Sequence, residues 1–225
     1  SSKIDYKIFT QKNSGPSIAT NNAIKFIKYS YIKLLDGDDI IAPDSLDYMK
    51  SQMRKHDIDL LYGNWDWSSD PVKYNFEEHK PESEEILNTF EKFIVNGWGG
   101  SSNLMIRTEA LITVGGCDES IFVQDYSLPL RVAGNQYISK DSKRFKVFST
   151  EKIICVGPSF IKDRIMSNNA QTLYDLSLAT LNFLDKAKFV NTFIKRKALK
   201  KIIARCFSWR RRVNKEKFLN KFLLT

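Results

Sequence analysis

The sequence predicts an α/β fold built on a mostly parallel sheet, and two observations predict it. Apolar runs of strand length alternate with segments whose apolar residues recur at helical spacing. Over residues 4–62 the order strand, helix, strand, helix, strand has the pitch of βαβ units. The runs are also apolar on consecutive residues rather than alternate ones, as in strands covered on both faces. With 225 residues, 42% hydrophobic and 27% charged, the chain can bury a sizeable core, which excludes disordered, collagen-like and coiled-coil classes.

Residues 4–9 read as a first strand. Asn13-Ser14-Gly15-Pro16 is a turn, and Pro16 suits the first turn of a helix that carries Ala19, Ala23, Phe26 and Ile27. Residues 31–35 read as a buried strand aimed into an acidic turn. Pro43 opens a second helix with Leu46, Met49 and Met53 on one face. Residues 58–62 are a buried strand ending at Gly63-Asn64. The polar stretch 65–85, broken by Pro71 and Pro81, reads as one long loop, a kind often functional. Ile86, Phe90, Phe93 and Ile94 mark a helix, and 96–100 is a glycine-rich turn. Residues 104–107 are a strand, followed by a short helix ending at Gly115-Gly116. A helix at 124–133 tolerates Pro129, strands are expected at 136–138 and 145–156, and from about Ala170 the chain reads as helical to its end. The expected division is an α/β domain over 1–165 and a helical, basic extension over 166–225.

The charge is uneven. Residues 186–225 hold 14 Lys and Arg against one acidic residue, a net +13; since the whole chain is +9, residues 1–185 carry −4. A polyanionic partner therefore belongs to the tail. Phe189, Val190, Phe193, Ile194, Leu199, Ile202, Ile203 and Cys206 make an apolar helical stripe there. Lys195, Arg196, Lys197, Lys200, Lys201 and Arg205 cover much of the rest, and Trp209-Arg210-Arg211-Arg212 follows. This pattern suits an anionic membrane surface. It also suits a helix packed on the domain with a solvated basic face, or nucleic acid, although no nucleic-acid motif accompanies it. No run approaches the roughly 18 uncharged apolar residues of a membrane span. Three widely spaced cysteines, Cys117, Cys155 and Cys206, predict neither a disulfide framework nor a zinc cluster, and suit a reducing compartment. No secretory leader is recognisable and the first residue is Ser1, so a processed or cut N-terminus is expected. The expected location is cytoplasmic, peripheral at the inner face of the membrane.

The sharpest local signal is Asp36-Gly37-Asp38-Asp39, three carboxylates directly after a strand. In an open parallel sheet ligands bind beyond the carboxyl ends of strands. Carboxylates this close repel unless a cation lies among them, and oxygen-only ligands suit Mg²⁺ or Mn²⁺. An EF-hand is excluded because Ile40 and Ile41 occupy the fifth and sixth positions from Asp36. The plainer alternative is a solvated acidic turn capping the Pro43 helix.

The motif order narrows these alternatives. Residues 13–24 show N-x-G-x-x-x-A-x-N, then come the 31–35 strand, the D-G-D-D turn, Pro43 and Leu46. Downstream lie Asp59-Leu60-Leu61-Tyr62-Gly63-Asn64, Val114-Gly115-Gly116-Cys117-Asp118-Glu119 and Gln124-Asp125-Tyr126-Ser127-Leu128-Pro129-Leu130-Arg131. Together, over about residues 4–135, they resemble the family 2 glycosyltransferases, whose corresponding segments read V-G-G-F-D-E and E-D-x-x-L-x-x-R. The resemblance implies a GT-A-type, Rossmann-like fold and an inverting transfer from a UDP- or GDP-linked sugar to a hydroxyl acceptor, a lipid-linked surface glycan being the expected class. It implies Mn²⁺ or Mg²⁺ at Asp36 and Asp38, with Asp36, Asp38 and Asp39 meeting the donor's ribose or diphosphate. It also implies Asp125 as the general base; on its own Asp125 reads equally as a helix N-terminal carboxylate.

Two departures stand out. Gln124 replaces the family's Glu, and nothing before Lys3 matches the family's first nucleotide-gripping segments, so roughly 50 residues of that half are expected to be missing. Such a chain would expose a sheet edge. The alternative function is accordingly an inactive GT-A domain serving as a membrane-associated binding or scaffold module. Expected substrate contacts are Trp65, Trp98, Gly100, Gln124 and Arg131. Trp65, Trp67 and Trp98 offer faces to a sugar or base, or else cover the core at its rim. Arg131 meets a phosphate or holds its helix against Asp118 or Asp125. His56 and His79 have polar surroundings and no expected catalytic part. Arg164, Asn168 and Asn169 lie in a region often close to the acceptor. The absence of Q-x-x-R-W favours transfer of one or a few sugars.

Overall fold

A computed structural model describes residues 6–97, 99–159 and 169–223. Its six-stranded sheet runs β1 (Tyr31–Lys33), β5 (Leu104–Arg107), β3 (Leu60–Ser68), β6 (Val147–Pro158), β2 (Ile40–Ile41), with β4 (Glu84–Glu85) pairing the other end of β6. Among the described residues seven α-helices surround it: α1 (Pro16–Ile24), α2 (Ser45–Lys55), α3 (Thr89–Asn96), α4 (Thr108–Thr113), α5 (Gln124–Gly134), α6 (Asn169–Lys186) and α7 (Thr192–Leu223).

The fold is α/β, but its ladders are not mostly parallel. Only β3–β6 pairs parallel among the described strands, because β5 enters between β1 and β3 and runs against both. The strands β1, β3 and β6 therefore share one direction, as the crossovers predict. A short apolar run such as 104–106 carries no information about its direction.

Alternation along the central strands divides the core. Leu60, Tyr62, Leu104 and Ile106 face the larger cluster, under α3–α7, whereas Leu61, Met105 and Ile154 face α2. On α2, Met49 and Met53 are wholly buried, each contributing about 1.5–3 kcal/mol. Tyr48 and Gln52 complete that face and Leu46 points out, because the buried stripe is turned one position from the one expected.

Other expectations shift for local reasons. Residues 6–9 form no strand; Phe9 instead stacks on Phe26 at 4.0 Å. The strand β1 is only half-buried, being the edge of the described sheet. The strand expected to stop at Gly63-Asn64 continues through two register shifts to Ser68, so Trp65 and Trp67 lie on a strand rather than in a loop. Residues 136–138 belong to a 3₁₀ turn and its cap. The long C-terminal helix breaks at 187–191, where the Asn191 Oδ1 accepts the Ile194 N–H at 2.8 Å, a cap worth about 1 kcal/mol. Ala179, Phe183, Val190, Ile194 and Ala198 share the main core, so the helices after 166 pack on the sheet domain.

Lys152 is fully buried on β6. Its ammonium donates to the Glu77 and His79 carbonyls and lies 3.3 Å from Asp44, tying residues 77–79 to the start of α2.

Candidate functional site

A cleft of about 810 Å³ opens where β1, β3 and α5 converge. The acidic turn, Trp65 and Trp67 from the end of β3, residues 100–103 and the start of α5 all line it. Asp36, Asp38, Asp39, Trp65, Gly100, Gln124 and Asp125 are thus brought together from four distant parts of the chain.

The acidic turn is held from below. Asp36 accepts a hydrogen bond from Ser101 Oγ at 2.7 Å, and its backbone N–H donates to Ser102 Oγ at 2.9 Å. Lys33 Nζ donates to the Ser102 and Leu34 carbonyls. Burial lowers the Lys33 pKa to about 8, against the opposing pull of Cys155, Asp39 and Asp36, so near neutrality a cation still faces the Asp36 and Asp39 carboxylates. Burial pushes the Cys155 thiol up to about 12, which leaves it protonated and unsuited as a nucleophile.

Asp125 is the second residue of α5. Burial pushes its carboxyl up to about 6, and the negative charge of Asp36 adds to the rise; its own and the Tyr126 backbone N–H hold it back. The Asp125 carboxylate packs so closely on Gly99 that a Cβ there would lie 3.3 Å from Oδ2. Gln124 Oε1 accepts Thr20 Oγ1 at 3.0 Å at the cleft wall, which binds α5 to α1. Next along, Ser17 Oγ donates to the Ile121 carbonyl at 2.6 Å. Asn21 joins the Cys117 backbone from both sides, accepting its N–H at 2.8 Å and donating to its carbonyl at 3.0 Å. Gly116, at φ 68°, is required here, because a Cβ would overlap Asn21 Oδ1.

The indoles of Trp65 and Trp67 meet at 4.2 Å, are each 41% exposed, and sit with Asp39 over Gly157, where a Cβ would come 2.8 Å from Asp39 Oδ1. They present half-open apolar surface beside the carboxylates.

Several expected residues are elsewhere. Arg131 donates to the Val114 carbonyl and lines a separate cavity of about 160 Å³ between α4, α5 and α6; it braces a turn and is not a cleft cation. His56 pairs with Glu82 and His79 with Glu77, both at 3.2 Å on the outer surface. Trp98, Arg164 and Asn168 lie outside the described residues, as does the side chain of Asn169.

Sequence reasoning missed Ser101, Ser102 and Asn103. Asn103 Oδ1 is buried without a hydrogen-bond partner among the described residues, while its Nδ2 donates to the Gly63 carbonyl at 3.0 Å. The signal was a polar Ser-Ser-Asn run immediately before a strand. Arg205, expected on the solvated face, is buried. Its guanidinium donates to the Leu176 and Val95 carbonyls and lies behind Gly97 and Tyr126, the residue after Asp125.

Among the described residues, no three His, Cys, Asp or Glu side chains are assembled as a metal cage. The donor set still fits a hard divalent ion, since Mg²⁺ or Mn²⁺ in nucleotide sites takes one or two carboxylates and completes its shell with water and substrate phosphate.

The profile described as Glycosyl transferase family 2 matches residues 2–115. A curated relative, an uncharacterized glycosyltransferase of Methanocaldococcus jannaschii, is 28% identical over 131 residues, covering 58% of this chain and 45% of the relative. Crystal structures of S. aureus TarS 1-349 are similar. One has a TM-score of 0.56 at 18% identity, covering 88% of this chain and 53% of that one. The complex with UDP-GlcNAc has 0.56 at 15% identity, covering 87% and 54%. At these identities the likeness to TarS is one of fold. The chain spans about half the length of the relatives it matches.

Proposed function

Because the chain belongs to glycosyl transferase family 2, we propose that it moves a sugar from a nucleoside-diphosphate sugar to an acceptor hydroxyl with inversion, Asp125 being the general base. The observation that carries this is the placing of a buried, poorly solvated carboxylate and an acidic turn in one cleft. Asp125 takes the acceptor's proton as the acceptor oxygen bonds to the anomeric carbon, and the bond from that carbon to the diphosphate breaks on the opposite face. A base with a pKa of about 6 is roughly nine-tenths ionised at pH 7 yet far more basic than an exposed carboxylate. Asp36 and Asp38 would hold Mg²⁺ or Mn²⁺ against the donor's diphosphate, and that ion would offset the charge of the leaving group. Lys33 keeps the turn in place, and Trp65 and Trp67 cover the donor's ring faces. The acceptor class is a lipid-linked surface glycan, which the basic α7 supports, with the protein peripheral at the inner membrane face.

Calorimetry with UDP and GDP, with and without Mn²⁺, tests the reading; UDP comes first because a TarS structure contains UDP-GlcNAc. Metal-dependent binding of one nucleotide is expected, weakened about tenfold or more in Asp38→Ala. Equal binding without metal and in Asp38→Ala would sink the site assignment. A folded chain that binds neither nucleotide would favour the inactive scaffold module.

A further inference from the structure

The α7 helix has two apolar faces. The inward one, Ile194, Ala198 and Ile202, packs against α6 and the core, with Arg205 continuing the row. On the opposite side Phe193, Leu199, Ile203 and Phe207 stand out 62, 45, 56 and 61% exposed. The single stripe expected from the sequence is therefore split, and half of it covers nothing among the described residues. Arg196, Lys200 and Arg210 are exposed on the same outward side, interleaved with the apolar residues. Lys197, by contrast, is engaged inward, 2.5 Å from Glu91 of α3, and its ammonium caps the Phe193 ring at 4.4 Å.

We infer that the outward face of α7, from Phe193 to Arg210, lies on an anionic lipid surface, the apolar side chains entering the headgroup boundary and the cations meeting lipid phosphates. This deepens the peripheral-membrane part of the proposed function by naming the contact surface. Phe193 to Phe207 covers about 21 Å of helix. Four large apolar side chains in line over that length are more than a solvated helix needs to leave exposed, and mark an interaction surface. The interleaved cations select the occupant. A second copy of the same face would bring Arg196, Lys200 and Arg210 against their own kind, and residues 186–225 contain one acidic residue to offset them. Nucleic acid would use the cations and leave the aliphatic residues uncovered. An anionic bilayer takes both. Among the described residues no helix is long and apolar enough to cross a membrane, so α7 lies along the surface.

The test is co-sedimentation of the full chain with vesicles of phosphatidylcholine alone and of phosphatidylcholine with one-third phosphatidylglycerol. Wild type is expected to pellet with the anionic vesicles and to remain in solution with the neutral ones. The triple variant Phe193→Ser/Ile203→Ser/Phe207→Ser and the double variant Arg196→Glu/Lys200→Glu should each bind about tenfold or more weakly. All these positions are exposed, so far-UV circular dichroism should be unchanged. Vesicle binding that is undiminished in the triple variant, or absent in wild type, overturns the inference. So does a dimer abolished by the triple variant, which assigns the face to a second copy, or tight duplex-DNA binding that the triple variant retains. Nucleotide calorimetry on the same variants should match wild type. A wild-type chain that binds neither nucleotide but still pellets with the anionic vesicles would count against the cleft reading and leave this surface standing.

Discussion

Asp125→Asn is expected to abolish transfer and, at pH 7, to make the protein more stable. The activity loss follows from removing the proton acceptor, for which general-base catalysis supplies about 10²–10⁴-fold. The stability gain follows from burial. The folded protein holds this carboxyl at about 6 against 3.8 in a free chain, because burial and the Asp36 charge both disfavour the ionised form. Between those values the folded state binds more protons than the unfolded one, so wild-type stability falls as pH rises from about 4 to about 6 and stays reduced above. A rise of roughly two units bounds the penalty at about 3 kcal/mol. Asparagine avoids the charge but brings an amide N–H₂ that needs a partner, so a gain of about 1–2 kcal/mol is expected at pH 7.5. That gain should shrink steadily on acidification, vanish near pH 5 and turn into a small loss near pH 4, where the charge penalty is gone and the cost of the amide remains. Urea unfolding at pH 5 and 7.5 measures it. The wild-type rate should meanwhile fall tenfold per unit below about pH 6, a limb the variant lacks. A variant less stable than wild type at pH 7.5 would mean that the native fold favours the charge, and the base assignment would lose its physical basis.

The parts of this site legible in sequence are those fixed by short-range chemistry. Pro16 after Gly15 starts α1, an acidic turn follows a strand, and Asp125 opens a helix where the dipole welcomes it. The motif order carried more than its members did. Structure supplies the reason that Asn21 and Gly115-Gly116 occur in one chain: the amide clasps the Cys117 backbone, and Gly116 leaves room for it. What stayed hidden depends on partners distant in the chain. Arg205 looks like a surface cation in its own helix, and its burial is made tolerable by the carbonyls of Leu176 and Val95 and the Thr180 hydroxyl. Lys152 is the same case, with Glu77 and His79 as the distant partners. Arg131 shares α5 with Asp125 but misses the cleft because its turn of the helix faces Val114, which the spacing from Asp125 does not reveal. The direction of β5 was equally out of reach, since it pairs with strands on both sides that precede it in sequence.

Gly63→Ala should be the most damaging small substitution in the sheet. Gly63 lies where β3 changes register against β6, between its buried half and the half that reaches the cleft. Its N–H donates to the Asn103 carbonyl at 2.8 Å and its own carbonyl accepts Asn103 Nδ2, so the backbone is clamped on the β5 side. On the β6 side a Cβ would stand 2.9 Å from Ile154 Cβ and closer still to Cγ1. Ile154 is wholly buried among Met49, Met53 and Leu61, with no free space to retreat into. One methyl group must therefore part β3 from β6, at a cost of about 3 kcal/mol or more, which lowers the melting temperature by roughly 6–12 °C. Because Trp65 and Trp67 follow two and four residues on, the same shift should weaken nucleotide binding in whatever fraction remains folded. Ile154→Ala alone should destabilise by about 2–5 kcal/mol through a cavity. Combined with Gly63→Ala, it gives the new methyl that cavity, so the double variant should be more stable than the sum of the two single losses predicts. Additive losses would mean that the two side chains do not meet, and that the strand reaches the cleft by another register.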